Sequence, residues 1–317
     1  MKPLIRIGTR GSALALVQAH FVQATLGEQT TIDIYKTTGD KRQDLPLDLV
    51  TGVGLFTREL ERALLSNTID LAVHSLKDLP IEQPKGLCMG AIPERAPAAD
   101  LILIRPEALD TAQEIPVKMG ARLGTSSNRR RALANAYRPD LNPVNLRGNV
   151  PTRLQKCING ECDALILAHA GLHRLDADLS AFVVFELNPR MWPCAPGQGA
   201  LGLEVREGDQ TTLSRISSME HSRTRAAVNA ERSLLGVTGG GCHSAFGAWV
   251  DIQDDRTGVT VALHDDTQGF RRAHFAAQSL NTAVSEATAW LLAGASPHAS
   301  NNKTNEEWLC RALPSSS

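Results

Sequence analysis

The sequence predicts two α/β domains followed by a smaller α+β domain, and three observations predict it. Apolar runs of strand length alternate with amphipathic helices through the first part of the chain, the pattern of largely parallel sheets buried on both faces. One strand-turn-helix unit occurs twice. Beyond about residue 217 the pattern changes to a helix, a glycine-rich loop and strand-like segments.

Taken in order, Arg6-Ile7-Gly8-Thr9-Arg10-Gly11-Ser12-Ala13-Leu14-Ala15 reads as a strand, a Gly-Thr turn and a serine placed to cap a helix. The segment from Arg122 through Gly124-Thr125-Ser126-Ser127 to Ala134 repeats that grammar. Each copy is followed by a helix and a strand: Thr57 through Leu65 leads to Asp70-Leu71-Ala72-Val73-His74, and Thr152-Arg153-Leu154 leads to Asp163 through Ala168. Prolines near 93–97 and 189–196 mark two boundaries, and Gly197 through Glu204 reads as a strand returning to the first domain. Domain 1 is therefore expected at 1–95 and 197–216, domain 2 at 96–196 and domain 3 at 217–317. Two chain crossings between the α/β domains suggest a hinged cleft. The third domain is expected to hold a helix at 223–235, strands around 246–252 and 258–264, and a helix near 281–293. Its tail from Ser296, rich in Ser and Asn, is expected to be partly disordered.

Composition sets limits on function. The 317 residues carry 33 Lys and Arg against 34 Asp and Glu, so the net charge of -1 gives no general attraction to nucleic acid or anionic membranes. Any basic site must be local. No apolar run reaches signal-peptide or membrane-span length, which leads to the expectation of a cytoplasmic protein with no membrane partner. Cysteines 88, 157, 162, 194, 242 and 310 form no CxxC pair, a spacing that suits reduced thiols better than disulfides or zinc.

The turns that end the first strand of each α/β domain place Arg10 with Ser12, and Ser127 with Arg129 and Arg130, at helix N-termini. Such termini favour anions, and guanidinium forks add bidentate carboxylate recognition. Lys77, Arg147, Arg153 and Arg174 recur at other strand ends or the helices after them, where open α/β sheets bind ligands. Any one of these side chains could simply be a solvated surface charge; their repetition across both domains favours a shared anionic ligand. Asp78, next to Lys77, is either a surface ion-pair partner or a carboxylate kept ionised in a cationic cleft, able to steady a developing cation and relay protons.

Cys242 follows Gly239-Gly240-Gly241. It is either incidental to a flexible loop or a thiol displayed on a mobile arm. His169 and His173 have i, i+4 spacing but no evident third ligand, so no metal is expected. Pro193-Cys194 has half of a zinc-deaminase pattern without its other parts. Asn128-Arg129-Arg130-Arg131 lacks the flanking aromatics of a nucleic-acid patch. His74, inside an apolar strand, reads as a core histidine.

Seven motifs together resemble the porphobilinogen deaminase (hydroxymethylbilane synthase) family: Gly8-Thr9-Arg10-Gly11-Ser12, Gly54-Leu55-Phe56, His74-Ser75-Leu76-Lys77-Asp78-Leu79-Pro80, Gly124-Thr125-Ser126-Ser127, Leu146-Arg147-Gly148-Asn149-Val150, Gly197-Gln198-Gly199-Ala200 and Gly240-Gly241-Cys242. The resemblance implies two domains like type II periplasmic binding proteins, with a hinged cleft, plus a small α+β domain. It implies a dipyrromethane cofactor held to Cys242 by a thioether. It also implies a monomer that condenses four porphobilinogen molecules head to tail, releases ammonia at each step and hydrolyses off hydroxymethylbilane. Loss of ammonia leaves a cationic azafulvene, and Asp78 matches the family's catalytic aspartate. Arg10, Arg129, Arg130, Arg147, Arg153 and Arg174 fall on its arginines, with Ser12, Gln18, Ser75, Lys77, Thr125, Ser127 and Gln198 nearby in its motifs. Each substrate ring carries an acetate and a propionate, which guanidinium groups suit.

Two departures stand out. Val53 replaces a lysine usual in the family, and His243-Ser244-Ala245-Phe246 replaces the commoner Gln-Val-Pro-aliphatic sequence after the cysteine. The alternatives are a non-catalytic receptor for a polyanionic small ligand, or an impaired paralogue that binds carboxylated pyrroles and turns over poorly. The retained Asp78 and Cys242 weigh against the first.

Overall fold

The computed structural model describes residues 4–37, 57–241, 244–265, 267–294 and 310–313. Gly54, Leu55, Phe56, Val53, Cys242, His243 and most of the tail from Ser296 therefore lie outside the described residues. The chain divides into two compact units, Met1–Ala96 with Gly199–Ala226, and Pro97–Gln198 with Ala227–Ser317.

The first unit is built on strands β1 (Ile5–Arg10), β2 (Thr30–Tyr35), β3 (Leu71–Ser75), β4 (Leu87–Ala91) and β10 (Leu201–Arg206), in the order β2-β1-β3-β10-β4. β1 runs parallel to β2 and β3, whereas the returning strand β10 is antiparallel to both β3 and β4. Helices Ala13–Leu26 and Arg58–Leu65 connect the parallel strands. One sheet face packs Ile5, Ile7, Leu71, Val73 and Leu203 against Ala19 and Val22 of the first helix. The other packs Ala72 and Leu87 against Leu60 and Leu64 of the second. Burial on both faces explains why these strands read as continuous apolar runs.

The second unit repeats this plan. β5 (Asp100–Ile104), β6 (Arg122–Gly124), β7 (Asn142–Val144), β8 (Ala164–Ala168) and β9 (Val183–Leu187) lie in the order β7-β6-β8-β5-β9. β6 is parallel to β7 and β8, and β5, the incoming strand, is antiparallel to β8 and β9. In each sheet the order is second, first, third, crossing strand, fourth. Both are α/β domains with one shared strand order.

The echo reaches individual side chains. Arg6 clamps Asp70 through its backbone N, Nε and Nη2 at 3.0, 2.9 and 2.8 Å. Arg122 clamps Asp163 through the same three atoms at 2.8, 3.1 and 2.7 Å. A Cβ on Gly8 would strike the Ile69 side chain, and one on Gly124 would meet Cys162 Sγ at 2.8 Å, so each glycine admits the side chain two residues ahead of the third strand.

The second unit also holds a sheet of β11 (Phe246–Ile252), β12 (Thr257–Asp265) and β13 (Gly269–Ala277), antiparallel in that order. It packs Phe246, Val250, Val259 and Val261 on Leu234, Ala283 and Ala287 of helices Ser222–Val237 and Leu280–Leu292. β13 was not expected from the sequence, because Arg271-Arg272 interrupts its apolar run. Arg271 is nevertheless buried, with its guanidinium 5.1 Å from the Trp290 ring centroid. Cys310–Ala312 forms β14 and extends the larger sheet by pairing with β9, another strand the tail's composition did not suggest. Main-chain pairing to an open edge makes few demands on side chains.

Candidate active site

In the first unit the predicted residues gather at the carboxyl ends of β1 and β3. β1 ends on Arg10, and Ser12 caps the next helix by accepting from Ala15 N at 3.3 Å. β3 ends on Ser75 and passes into a 3-10 turn, Leu76–Asp78. Gln18, buried in the helix, donates through Nε2 to Ser75 Oγ at 2.9 Å and so ties the two strand ends together. Arg10, Ser12, Gln18, Ser75 and Asp78 line one pocket, with His74 and Thr57 in its wall. Asp78 is exposed there. Lys77 sits half-buried in the same turn but is not part of that lining. His74 is a satisfied core histidine: its Nε2 lies 3.1 Å from Oε2 of the fully buried Glu204.

In the second unit the corresponding turn follows β6. Thr125 is buried and accepts from Ser127 N at 3.2 Å, while Ser127 caps helix Asn128–Tyr137 at Arg130 N. Arg129 and Arg130 are both buried and hydrogen-bond within the protein, drawn to Asp100 at the start of β5. Arg130 grips Asp100 in a bidentate pair at 3.1 and 2.7 Å and donates to Ile166 O at 3.0 Å. Arg129 donates to Asp100 and to Pro193 O, each at 2.9 Å. Gln198 likewise meets Asp100, at 2.9 Å, and Ala98 O at 2.7 Å. Burial alone would push the Asp100 carboxyl up, but the two arginine charges and these hydrogen bonds hold it far below the usual carboxylate range.

Three further arginines differ in kind. Arg147, beyond β7, has Nη1 buried without a hydrogen-bond partner. Arg153, on helix Val150–Ile158, donates to Gly148 O at 2.7 Å, and its pKa is pulled down to about 10 by burial and then by the charges of Arg130 and Arg147. Arg174, ending helix His169–Arg174 after β8, is pulled down to about 10 by burial. Arg153 thus lies under the repulsion of both Arg130 and Arg147, with Asp100 already shared between Arg129 and Arg130. An anion entering there relieves both the repulsion and the orphaned donor.

Other candidates resolve into structure. His169 pairs with Glu186 at 3.1 Å and meets His173 edge-on at 6.4 Å. Among the described residues no group of three or more His, Cys, Asp or Glu side chains is set to hold a metal. Cys194 is buried with its thiol 3.4 Å from Ala248 O. Cys242 lies outside the described residues, but the chain on either side is defined. Gly239 has a φ of 64°, and Ser244 returns N and Oγ to Gly241 O at 2.9 and 2.8 Å. The buried acids Asp100, Glu204 and Glu231 escaped the sequence search. The one signal for Asp100 was a lone charge at the head of the apolar run Leu101-Ile102-Leu103-Ile104.

Fold and site together define a two-unit α/β protein with arginines gathered near its strand ends and a carboxylate in a pocket of the first unit. Residues 5–214 match the family described as porphobilinogen deaminase, dipyrromethane cofactor binding domain. The chain is 43% identical over 276 residues to a porphobilinogen deaminase of Syntrophobacter fumaroxidans, covering 84% of this chain and 87% of that one. It is 45% identical over 278 residues to one of Nitratidesulfovibrio vulgaris, covering 86% of each. With one of Brevibacillus brevis the identity is 38% over 301 residues, covering 92% of this chain and 94% of the other. The chain belongs to the porphobilinogen deaminase family. No helix among the described residues is long and apolar enough to cross a membrane.

Proposed function

We propose how this chain carries out the family's reaction, the head-to-tail condensation of four porphobilinogen molecules with loss of ammonia and release of hydroxymethylbilane in tetrapyrrole biosynthesis. The observation that carries the residue-level account is the unbalanced guanidinium group of the second unit, where Arg147 Nη1 is a buried donor without a partner. That donor set fits a group bearing several carboxylates, as the dipyrromethane cofactor does. When bound, the cofactor supplies the primer to which pyrrole rings are added, held by a thioether to Cys242. Arg147, Arg153 and Arg174 receive its carboxylates and those of added rings, while Arg129, Arg130 and Gln198 shape the wall beside them.

In the first unit Arg10, Ser12 and Lys77 bind the acetate and propionate of the incoming substrate, with Gln18 holding Ser75 in place. Asp78 stands at the end of β3 in the same pocket as Arg10. Its carboxylate accepts from the pyrrole N–H and stabilises the cation left on the substrate when the C–N bond breaks and ammonia departs. Formation of the C–C bond then displaces a proton from the pyrrole carbon, which Asp78 takes up. The protein acts as a cytoplasmic monomer, without nucleic-acid or membrane partners.

Asp78→Asn keeps the shape and removes the charge. Ammonia release with porphobilinogen is expected to fall by about 10²-fold or more, the usual reach of acid-base and electrostatic catalysis, while the cofactor stays attached. Turnover near that of the parent would overturn Asp78's assignment.

A further inference from the structure

Asp100 opens β5 with no solvent exposure. Its Oδ1 accepts from Arg130 Nη2 at 2.7 Å and Gln198 Nε2 at 2.9 Å. Its Oδ2 accepts from Arg129 Nη2 at 2.9 Å and from Arg130 Nε and Trp192 Nε1, both at 3.1 Å. A carboxylate offers about four lone-pair positions, so Asp100 is saturated by the protein and has nothing left for a ligand.

The arginines are not saturated in the same way. A guanidinium carries about five N–H donors in a rigid planar fork, so the bonds that Asp100 receives also fix where the unused donors point. Both forks are anchored on a second side by backbone carbonyls, Arg129 by Pro193 and Arg130 by Ile166. Charge leads to the same place. One carboxylate answers two buried guanidinium ions, which leaves the cluster cationic, and the charge of Arg130 is felt at Arg153.

The support extends outward. Gln198 lies in the turn Gly197-Gln198-Gly199, and Gly197 N donates to Oε2 of the fully buried Glu231 at 2.8 Å. Oε1 of Glu231 accepts from Val250 N at 3.1 Å. A helix, a sheet strand and the turn are thus held in register with the residue that completes Asp100's shell.

We infer that Asp100 is the positioning residue of the cofactor site: it clamps Arg129 and Arg130 in one orientation and cancels one of their two charges, and loading of the dipyrromethane depends on that geometry. The inference rests on the reading of the second unit as the cofactor's holder. A purely structural Asp100 would stabilise the fold without setting how much cofactor the protein carries.

Intact mass and thermal melting of the purified holoprotein separate the two roles. In Asp100→Asn the melting temperature falls, and the cofactor-bearing fraction falls by about tenfold or more, since an uncompensated buried cation pair is left behind. Asp100→Asn combined with Arg129→Gln restores charge balance, so the melting temperature recovers while Arg130 stays unclamped and the adduct stays low. Asp100→Glu keeps the carboxylate and recovers part of the adduct. A parent-like adduct fraction in Asp100→Asn or the double variant overturns the inference, as does a double variant that remains unfolded or an Asp100→Glu no better loaded than Asp100→Asn. A parent protein without any adduct would overturn the cofactor assignment itself, and the inference with it.

Discussion

Arg6 with Asp70 and Arg122 with Asp163 are the same device used twice, one clamp between the first strand and the approach to the third strand in each unit. Burial works against the charge of Asp70, but hydrogen bonds from Arg6 and Arg206 bring its pKa down to about 2 from an ordinary 3.8. A carboxylate with a depressed folded pKa stabilises the fold fully above its unfolded value and loses that contribution as pH falls through the folded one. Asp70→Asn should therefore lower the melting temperature at neutral pH, and the gap to the parent should close between about pH 4 and pH 2. Melting curves across that range check it; a gap independent of pH would show that the clamp's charge contributes nothing. Both aspartates could have been noticed in the sequence, each heading an apolar strand. Their partners could not, because Arg6 and Asp70 meet only once the parallel register of β1 and β3 is known.

At the scale of elements, helix starts were the most legible feature. Ser12 and Ser127 cap the helices that the sequence assigned to them, since a side-chain acceptor ahead of an Ala-rich run is a local signal. Asn149 is a third such cap: its Oδ1 accepts from Thr152 N at 2.9 Å and Thr152 Oγ1 at 2.7 Å, at the head of the helix that carries Arg153. Asn149→Ala should cost about 1 kcal/mol in urea unfolding. No measurable loss would mean that the backbone turn at Gly148, not the side chain, starts that helix. What the sequence did not disclose was which way the arginines after Ser127 face. Arg129, Arg130 and Arg131 are consecutive and chemically alike. Two turn inward because a buried carboxylate on β5, a strand distant in sequence, waits for them.

For the molecule as a whole, a net charge of -1 conceals the local excess of guanidinium ions in the second unit. The two sheets with one strand order were foreshadowed by the repeated Gly-Thr turns, and each takes its antiparallel strand from a chain crossing. The crossing strands were harder to foresee, because an apolar run carries no sign of its direction. The resemblance in sequence supplied the chemistry that composition and periodicity could not, above all the part assigned to Cys242. The central claim is that this thiol carries a two-ring pyrrole primer, and intact mass compares it most directly. Protein purified with its cofactor should be heavier than its bare chain by one dipyrromethane, and Cys242→Ser should have the bare mass. Equal adducts on both proteins, or none on the parent, would contradict the account.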